Sequence, residues 1–506
     1  MTITETLLFL HNYRYFPYEK DLARREIEAL LSPSEVHRNG QGFKVIGSID
    51  EVALKRLVYF QKYTLDSGFF DTLQHRLETS CLKTGRQKRQ STRYSVHGLH
   101  EYKGKFNPQI VRGILNVLGI PPKSTIIDPF CGSGTTLVEC SHSEVNALGC
   151  DINPLAVFIS NAKLQSLSVE AQRLRDILDR LMNNLNLIDK NCLLQIRQSP
   201  REDYLRSWFT KEIFVEIECL RIAIENLTGN HKNIFLALAS DLLRDYSLQE
   251  PLDLRVRRRK TPLPTQSPGE AFQQKAAIFI NNLEAAQDVV GVKQEPNYAY
   301  LCDSREIIKN SEQWSHRPAY DAAVTSPPYA TALPYIDTQR LSLVWLDLAT
   351  PKDLRFLDAN LTGSREFTKK KKNFWAESLK SNRNQLVSEV HSYCCELEEA
   401  LSDTDGFRRQ AVPYLMYRYF SDMQAVFRNI LEITKIEAPF ALVVGHNHTI
   451  LSGQRFNIDT PALLKKIAIS CGWGHQESIP LQTYHRYSIH SANAVRTETL
   501  LILKKP

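Results

Sequence analysis

Two short stretches carry residues suited to chemistry. The first, DPFCGSGTT at 128–136, follows an apolar run and precedes a helical one. Gly132 and Gly134 let the backbone turn tightly and approach a ligand where a Cβ would clash. The helix that then begins presents unpaired N–H groups. Asp128, at the end of the apolar run, is placed to accept from a ligand ammonium, although a tight turn in any doubly wound sheet has the same look. The second stretch, TSPPY at 325–329, follows the apolar run YDAAV. Pro327 and Pro328 stiffen the backbone, so a rigid loop aims its carbonyls at one point. Ser326 adds a short acceptor and Tyr329 a flat ring, a set suited to a planar base with an exocyclic amine. A plain Pro-Pro turn after a strand is the bland alternative.

Two more acidic residues end apolar runs. Asp151, about 20 residues after the glycine loop, can take both ribose hydroxyls of a nucleoside or cap the next helix. Asp303, in LCDSRE, can accept from an adenine amine or serve as a turn residue.

Elements that would position these residues are legible around them. STIID reads as a short buried strand, TTLVECSHS as a helix and NALGCDI as the next strand: a βαβ unit of a parallel sheet. IVRGILNVLGI before it reads as a helix ended by Pro121 and Pro122. Strand patterns resume at YAYLCDS and AYDAAVTS, and again at FALVVGHN and TETLLILKK, with the helices SDMQAVFRNILEIT and TPALLKKIAISCG interleaved. The expected fold class is therefore α/β, with an α/β unit at the N-terminus and helical insertions. The expected divisions are an N-terminal unit over 1–90, a core over 91–165 holding the glycine loop, and a mainly helical insertion over 166–290 suited to target recognition. The core then continues over 291–350, a charged helical insertion follows over 351–410, and the core closes over 411–506. In the N-terminal unit, LLFLHNYRYF and GFKVIGSI read as strands. KDLARREIEALL reads as an amphipathic helix with Leu22, Ile27, Leu30 and Leu31 near one face. The polar stretch 84–93 reads as a linker or arm.

Composition bounds the reading. The chain has 506 residues and is 42% hydrophobic, enough for a real core and against wholesale disorder. No run of about 18 apolar residues occurs and no basic segment precedes the first apolar run, so neither a membrane span nor a signal peptide is expected. Ten cysteines form no CxxC pair, which speaks against a zinc site or a disulfide scaffold and for a reducing cytoplasm. The histidines of GHNHT, His446 and His448, alternate without further ligands nearby, and no metal is expected. The net charge of +7 permits a polyanionic partner without requiring one. Arg255, Arg257, Arg258, Arg259 and Lys260, with the lysine run 369–372, are the candidates for phosphate contact; a solvated loop face is the alternative. The five tryptophans, Trp208, Trp314, Trp345, Trp375 and Trp473, are read as core.

The two stretches together resemble the motifs of S-adenosylmethionine-dependent amino-methyltransferases. Ser-Pro-Pro-Tyr in particular is similar to the catalytic loop of cytosine-N4-specific DNA methyltransferases. The likeness extends over HGLHEYKGKFNPQIV (97–111), YATALPYIDTQRLSLVWL, YFSDMQAVF and FALVVGHN, more than half of the chain. It implies a seven-stranded, mostly parallel Rossmann-like sheet and S-adenosylmethionine as cofactor. It also implies cofactor contacts from Asp128, Phe130, Gly132, Gly134, Asp151 and Asp303, with Lys105, Phe106 and Pro108 at the methionine end. Catalysis would fall to Ser326, Pro327, Pro328 and Tyr329. Implied partners are double-stranded DNA and a restriction endonuclease of the same system. Many relatives with Ser-Pro-Pro-Tyr place it before the cofactor loop; here the order is reversed, with a long insertion between Asp151 and Asp303. The N-terminal FLHNYRYFPYEKDLARREIEALL faintly resembles tRNA guanine-N2 methyltransferases, which carry Asp-Pro-Pro-Tyr where this chain has Ser326. Ser326 thus favours cytosine over tRNA guanine or DNA adenine, and the intact pair of motifs favours an enzyme over an idle nucleic-acid-binding relative.

Overall fold

The computed structural model of the protein describes residues 4–40, 42–80, 90–188, 199–229, 231–293, 297–308, 320–330, 335–366, 369–482 and 497–506. Most of the polar stretch 84–93, together with Trp314, Cys81 and Cys192, lies outside them.

A five-stranded antiparallel sheet forms from the first 71 residues: β1 (Thr4–Leu10), β2 (Glu35–Asn39), β3 (Gly42–Gly47), β4 (Phe60–Leu65) and β5 (Gly68–Asp71), in the order β2-β3-β1-β4-β5. The helix Pro17–Leu31 buries Leu22, Ala23, Ile27 and Leu31, as its spacing predicts, while Leu30 is half-buried. It also buries Glu26, whose carboxyl accepts from the backbone of Val58 and Tyr59 and from the Asn116 amide. Burial pushes that carboxyl up to about 7.

The larger sheet has seven strands: β6 (Thr125–Asp128), β7 (Asn146–Asp151), β8 (Tyr298–Leu301), β9 (Ala322–Thr325), β10 (Pro439–Gly445), β13 (Gly474–Gln482) and β14 (Thr497–Lys504). Their order is β13-β14-β10-β9-β6-β7-β8. Neighbours pair in parallel from β8 through β10, and β14 alone runs opposite to both of its neighbours. The expected seven-stranded, mostly parallel α/β fold is what the chain adopts.

Alternation along the strands shows why the apolar runs are continuous. Ile126, Ala322, Val324, Ala441, Val443, Leu500 and Ile502 enter one core. Their immediate neighbours Ile127, Ala323, Phe440, Leu442, Val444, Leu501 and Leu503 enter another on the opposite face. A strand covered by helices on both faces has no polar side to show. The edge strand β13 (GHQESIPLQ) is mixed, with most of its residues exposed or half-buried, and periodicity alone does not flag it. The hairpin of β11 (Asn447–Leu451) and β12 (Gln454–Ile458) was also not foreseen; Ser452 and Gly453 at its turn both have positive φ.

Helices fill the connections. Between β7 and β8 lie, among others, Ala171–Leu185, Lys211–Glu225 and Pro268–Val290. Between β9 and β10 lie Tyr335–Trp345, Leu354–Asn360, Lys369–Lys380, Ser388–Glu399 and Val412–Ile433. Among the described residues no helix is long and apolar enough to cross a membrane. Trp345 and Trp473 are buried in the core; the guanidinium groups of Arg258 and Arg340 both lie over the Trp208 ring.

A buried ionic knot locks the segment before the glycine loop to the sheet. Glu139, on the helix Thr135–His142, is fully buried and meets Arg112 Nη2 at 2.7 Å and His97 Nε2 at 2.6 Å, and accepts from the Tyr94 hydroxyl at 3.0 Å. Burial alone would raise the Glu139 carboxyl; Arg112, with the imidazoles of His142 and His97, holds it well below its ordinary value. His97, Glu139 and His142 are close enough to share a metal ion, but Arg112 already occupies the carboxylate with a fixed positive charge. Removing the anion strands that guanidinium. Glu139→Ala is therefore expected to destabilise the protein by about 3–5 kcal/mol, and Glu139→Gln by less, measured by denaturant unfolding near neutral pH.

Candidate active site

The strand order reverses direction between β6 and β9: the chain leaves β6 towards β7 and β8, then crosses back to β9 and continues to β10 and β14. In open α/β sheets the crevice outside the carboxyl ends at such a point is where ligands bind. Asp128 ends β6 and Thr325 ends β9, so both chemistry-bearing loops leave the sheet side by side at that crevice.

A hydrogen bond joins them. The Thr325 hydroxyl donates to Asp128 Oδ1 at 2.6 Å, and the Phe130 N–H donates to the same oxygen at 3.0 Å. Asp128 is buried, and burial pushes its carboxyl up to about 6 against these hydrogen bonds. One oxygen of the acceptor foreseen for a ligand ammonium thus joins the two loops.

Asp151 ends β7. Its Oδ2 accepts from the Gly132 N–H at 2.9 Å and its Oδ1 from the Asn153 N–H at 2.8 Å. Burial likewise pushes it up to about 6. Helix capping falls to Asn153, whose side chain accepts from the Leu155 N–H. Gly132 takes a left-handed backbone (φ +50°), which presents its N–H to Asp151.

A cleft of about 680 Å³ opens over these groups. Of the foreseen residues, Phe130, Gly132, Asp151, Asp303, Ser326 and Pro328 line it together. Asp303 lies after β8 and takes three contacts from the Arg305 side chain; Arg305 in turn pairs with Asp422 and donates to the Asn360 carbonyl. An adenine amine at Asp303 would share that carboxylate with a guanidinium. Ser326 is half-buried, and its hydroxyl donates to the Val443 carbonyl of β10 at 3.2 Å.

Other foreseen residues stand elsewhere. Gly134 is buried beneath the loop: a Cβ there would sit 2.2 Å from Ser160 Oγ and 3.1 Å from its Cα, so this glycine lets the helix Pro154–Leu167 approach. Lys105 donates to the carbonyls of Thr92 and His97 and does not line the cleft; burial lowers its ammonium to about 7. Phe106 packs on the core and Pro108 begins the helix Pro108–Val117. The same segment reaches the cleft through Tyr102 and Gly104 instead. Pro327 is buried. Tyr329, foreseen as a stacking ring, packs over Gly445 and donates its hydroxyl to Glu498 of β14, outside the cleft lining. Desolvation and the Glu498 carboxylate both push that phenol up.

The basic run divides in the same way. Arg258 lies over Trp208 and donates to the Ser207 carbonyl; Arg259 donates to the carbonyls of Asp245 and Ser247. These two therefore brace their loop. Arg257 pairs with Asp253, and the Lys260 backbone N–H donates to Glu250. Arg255 alone of the five lines a cavity beside the cleft. In the lysine run, Lys372 reaches the Gln410 side chain and lies near the rings of Phe407 and Tyr414. His446 lies 3.4 Å from Asp459.

Sequence reasoning missed Tyr102, Tyr335, Arg305, Leu361 and Thr362, all lining the cleft. Tyr102 and Tyr335 stack with centroids 6.4 Å apart. Both tyrosines lie inside stretches noted for their resemblance, but nothing in their spacing separates them from core aromatics.

Comparison with known proteins adds the following. Residues 54–161 match the family model described as DNA methylase. The type II methyltransferase M.MjaII of Methanocaldococcus jannaschii is 31% identical over 204 residues, 38% of this chain and 36% of that one. M.MvaI of Kocuria varians is 24% identical over 317 residues, 60% of this chain and 66% of that one. M.BsoBI of Geobacillus stearothermophilus is 23% identical over 420 residues, 75% and 79% respectively. The chain thus spans about a third of the length of the first of these relatives and just under two thirds of the second. It is similar to N6/N4 DNA methylases over the segment that holds the glycine loop and, distantly, to type II methyltransferases over much of its length.

Two outcomes follow from the geometry. Gly134→Ala combines a positive φ (+78°) with the Ser160 clash and is expected to cost about 2–4 kcal/mol, read as a drop in melting temperature. The Asp128 carboxyl is held above its unfolded value, so it stabilises the native state at low pH. That contribution is complete below about pH 4 and fades as pH rises through about 6. Asp128→Asn removes it: acidification from about pH 7.5 to about pH 5 should stabilise the variant by about 1 kcal/mol less than the wild type, read from paired melting curves.

Proposed function

We propose that this chain is an S-adenosylmethionine-dependent DNA methyltransferase that methylates the exocyclic N4 amine of a cytosine extruded from double-stranded DNA. The observation that carries this reading is the single cleft in which Ser326 and Pro328 face Phe130, Gly132, Asp151 and Asp303. Its relatives' type II character supports a role in DNA modification alongside a restriction endonuclease.

The cleft suits an adenosyl ligand. Gly132 leaves loop backbone bare at the wall, with only Tyr102 near the position a Cβ would take, and carboxylates stand at the ends of two neighbouring strands. Asp151 and Asp303 would hold the nucleoside end, and Phe130, Gly132 and Tyr102 the remainder. When bound, the cofactor supplies a methyl group on an electrophilic sulfonium.

The amine of cytosine is a poor nucleophile because its lone pair is conjugated with the ring. Holding and desolvating it are therefore the protein's main tasks. Ser326 donates to Val443 and keeps its lone pairs for an amine N–H. Pro327, buried, and Pro328 keep the loop carbonyls from swinging away. Accepting the N–H bonds out of the ring plane returns the lone pair to nitrogen, and one amine proton is released to solvent. Tyr329 ties the loop to β14 through Glu498. The C5 alternative needs a thiolate in a Pro-Cys pair, which the sequence lacks. Cys131, the thiol within the glycine loop, is buried with its pKa pushed up, the wrong direction for a nucleophile.

Purified protein with labelled S-adenosylmethionine, offered DNA or tRNA, tests the reading by nucleoside analysis. N4-methylcytosine in DNA is the expected product; N6-methyladenine in DNA or N2-methylguanine in tRNA would replace it. Ser326→Ala should lower turnover by about 10²-fold with cofactor affinity near wild type.

A further inference from the structure

Beneath the glycine loop, the helix Pro154–Leu167 buries a lysine that the chemistry above does not use. Lys163 is fully buried, and its Nζ donates to the Ser133 carbonyl at 2.8 Å and to the Ser133 hydroxyl at 3.2 Å. It forms no ion pair among the described residues. Asp241 acts on it through space, but that carboxylate already accepts from the Glu101 N–H and the Lys275 ammonium and lies 3.3 Å from His100 Nδ1. Desolvation, then Lys105, hold the Lys163 amine well below its ordinary pKa, with Asp241 opposing.

A lysine buried without an ion pair is costly to the fold, and an apolar side chain of similar length would fill the space without that cost. Such departures gather at functional sites. Here both acceptors of the lysine belong to one residue of the glycine loop. Ser133 stands between Gly132 and Gly134, both with positive φ, in the part of the loop with the greatest backbone freedom. Three successive residues are nevertheless fixed from one strand and the helix that follows it. Asp151 accepts from the Gly132 N–H, Lys163 donates to the carbonyl and hydroxyl of Ser133, and Ser160 fills the space that Gly134 leaves. Ser160 and Lys163 stand at i and i+3 and so share a helix face. Ser133 is consequently buried and not among the residues lining the cleft, whereas Gly132 beside it lines the cleft.

Resting on the cofactor reading above, we propose that Lys163 is the positioning residue of the cofactor loop: its amine draws the carbonyl and side chain of Ser133 inward and leaves bare Gly132 backbone facing S-adenosylmethionine. Lys163 itself touches neither the cofactor nor the base. Without its amine the Ser133 carbonyl loses that donor inside the protein, and the loop relieves the unpaired group by turning towards water in the cleft.

The test uses the full chain, with S-adenosylmethionine affinity measured by calorimetry in the absence of DNA. Lys163→Met should weaken that affinity by about tenfold. Cofactor KM should rise in step, while kcat at saturating cofactor and KM for DNA stay within about twofold of wild type. Ser133→Ala leaves the lysine its carbonyl acceptor and should weaken cofactor binding by about threefold with the same split. It decides the matter alone if the methionine variant does not fold. In the double variant the serine change should add nothing, since the amine it met is already gone. Wild-type cofactor affinity in either variant, or losses that add in the pair, overturns the proposal and leaves the methyltransferase reading intact. So does a loss in which kcat falls and KM for DNA rises together with cofactor KM, since that is general loosening of the fold. A wild type that binds no S-adenosylmethionine overturns both.

Discussion

One buried carboxylate holds the two loops of the candidate site together. Asp128 receives the hydroxyl of Thr325 from a strand 197 residues away and the N–H of Phe130 from its own loop. Desolvating that charge is costly, as its upward-shifted pKa shows. What results is a fixed spacing between two loops that no local force could align. Asp151 repeats the device one strand over by gripping the Gly132 N–H. The glycine loop is thereby tethered at both ends, and the proline loop is tethered to it.

The rest of the molecule serves that spacing. Strand order brings β6 and β9 side by side, and alternating burial in two cores keeps them there. The Glu139 knot fixes the preceding segment, so that Tyr102 and Gly104 close one wall. Tyr329 and Ser326 anchor the proline loop to β14 and β10. The helical insertions then do something different. They are bound to the core by contacts such as Asn153 donating to Gln339, and Arg340 lies over Trp208. The strands hold the two loops, and the insertions add residues such as Leu361 and Thr362 to the cleft wall.

Much of this was legible in advance. Continuous apolar runs marked β6, β7, β9, β10 and β14 because strands buried on both faces leave no ambiguity. Edge strand β13 and the β11–β12 hairpin escaped, being half exposed and without a clean period. Gly132, Asp151, Asp303, Ser326 and Pro328, named from residue type and position, and Phe130, implied by the resemblance, line one cleft. Asp128, Gly134, Pro327 and Tyr329, named from residue type and position, and Lys105 and Phe106, implied by the resemblance, are not among its lining residues. Spacing along the chain identifies which segment approaches a ligand, but the turn at Gly104 and the crowding at Ser160 determine which side chains of that segment face it.

The sequence by itself determined the parallel sheet, its two loops and the kind of chemistry their residues suit. Those follow from local rules: side-chain period, backbone freedom at glycine, and stiffness at proline. Only the tertiary structure decided that Asp128 accepts from Thr325 and so joins the two loops, and that Arg258 and Arg259 donate to nearby carbonyls while Arg255 lines a cavity. It alone gathered Arg365 and Arg408 beside Arg255. Whether a polar group is occupied or available depends on what lies across from it, and the chain brings those partners from far away in sequence.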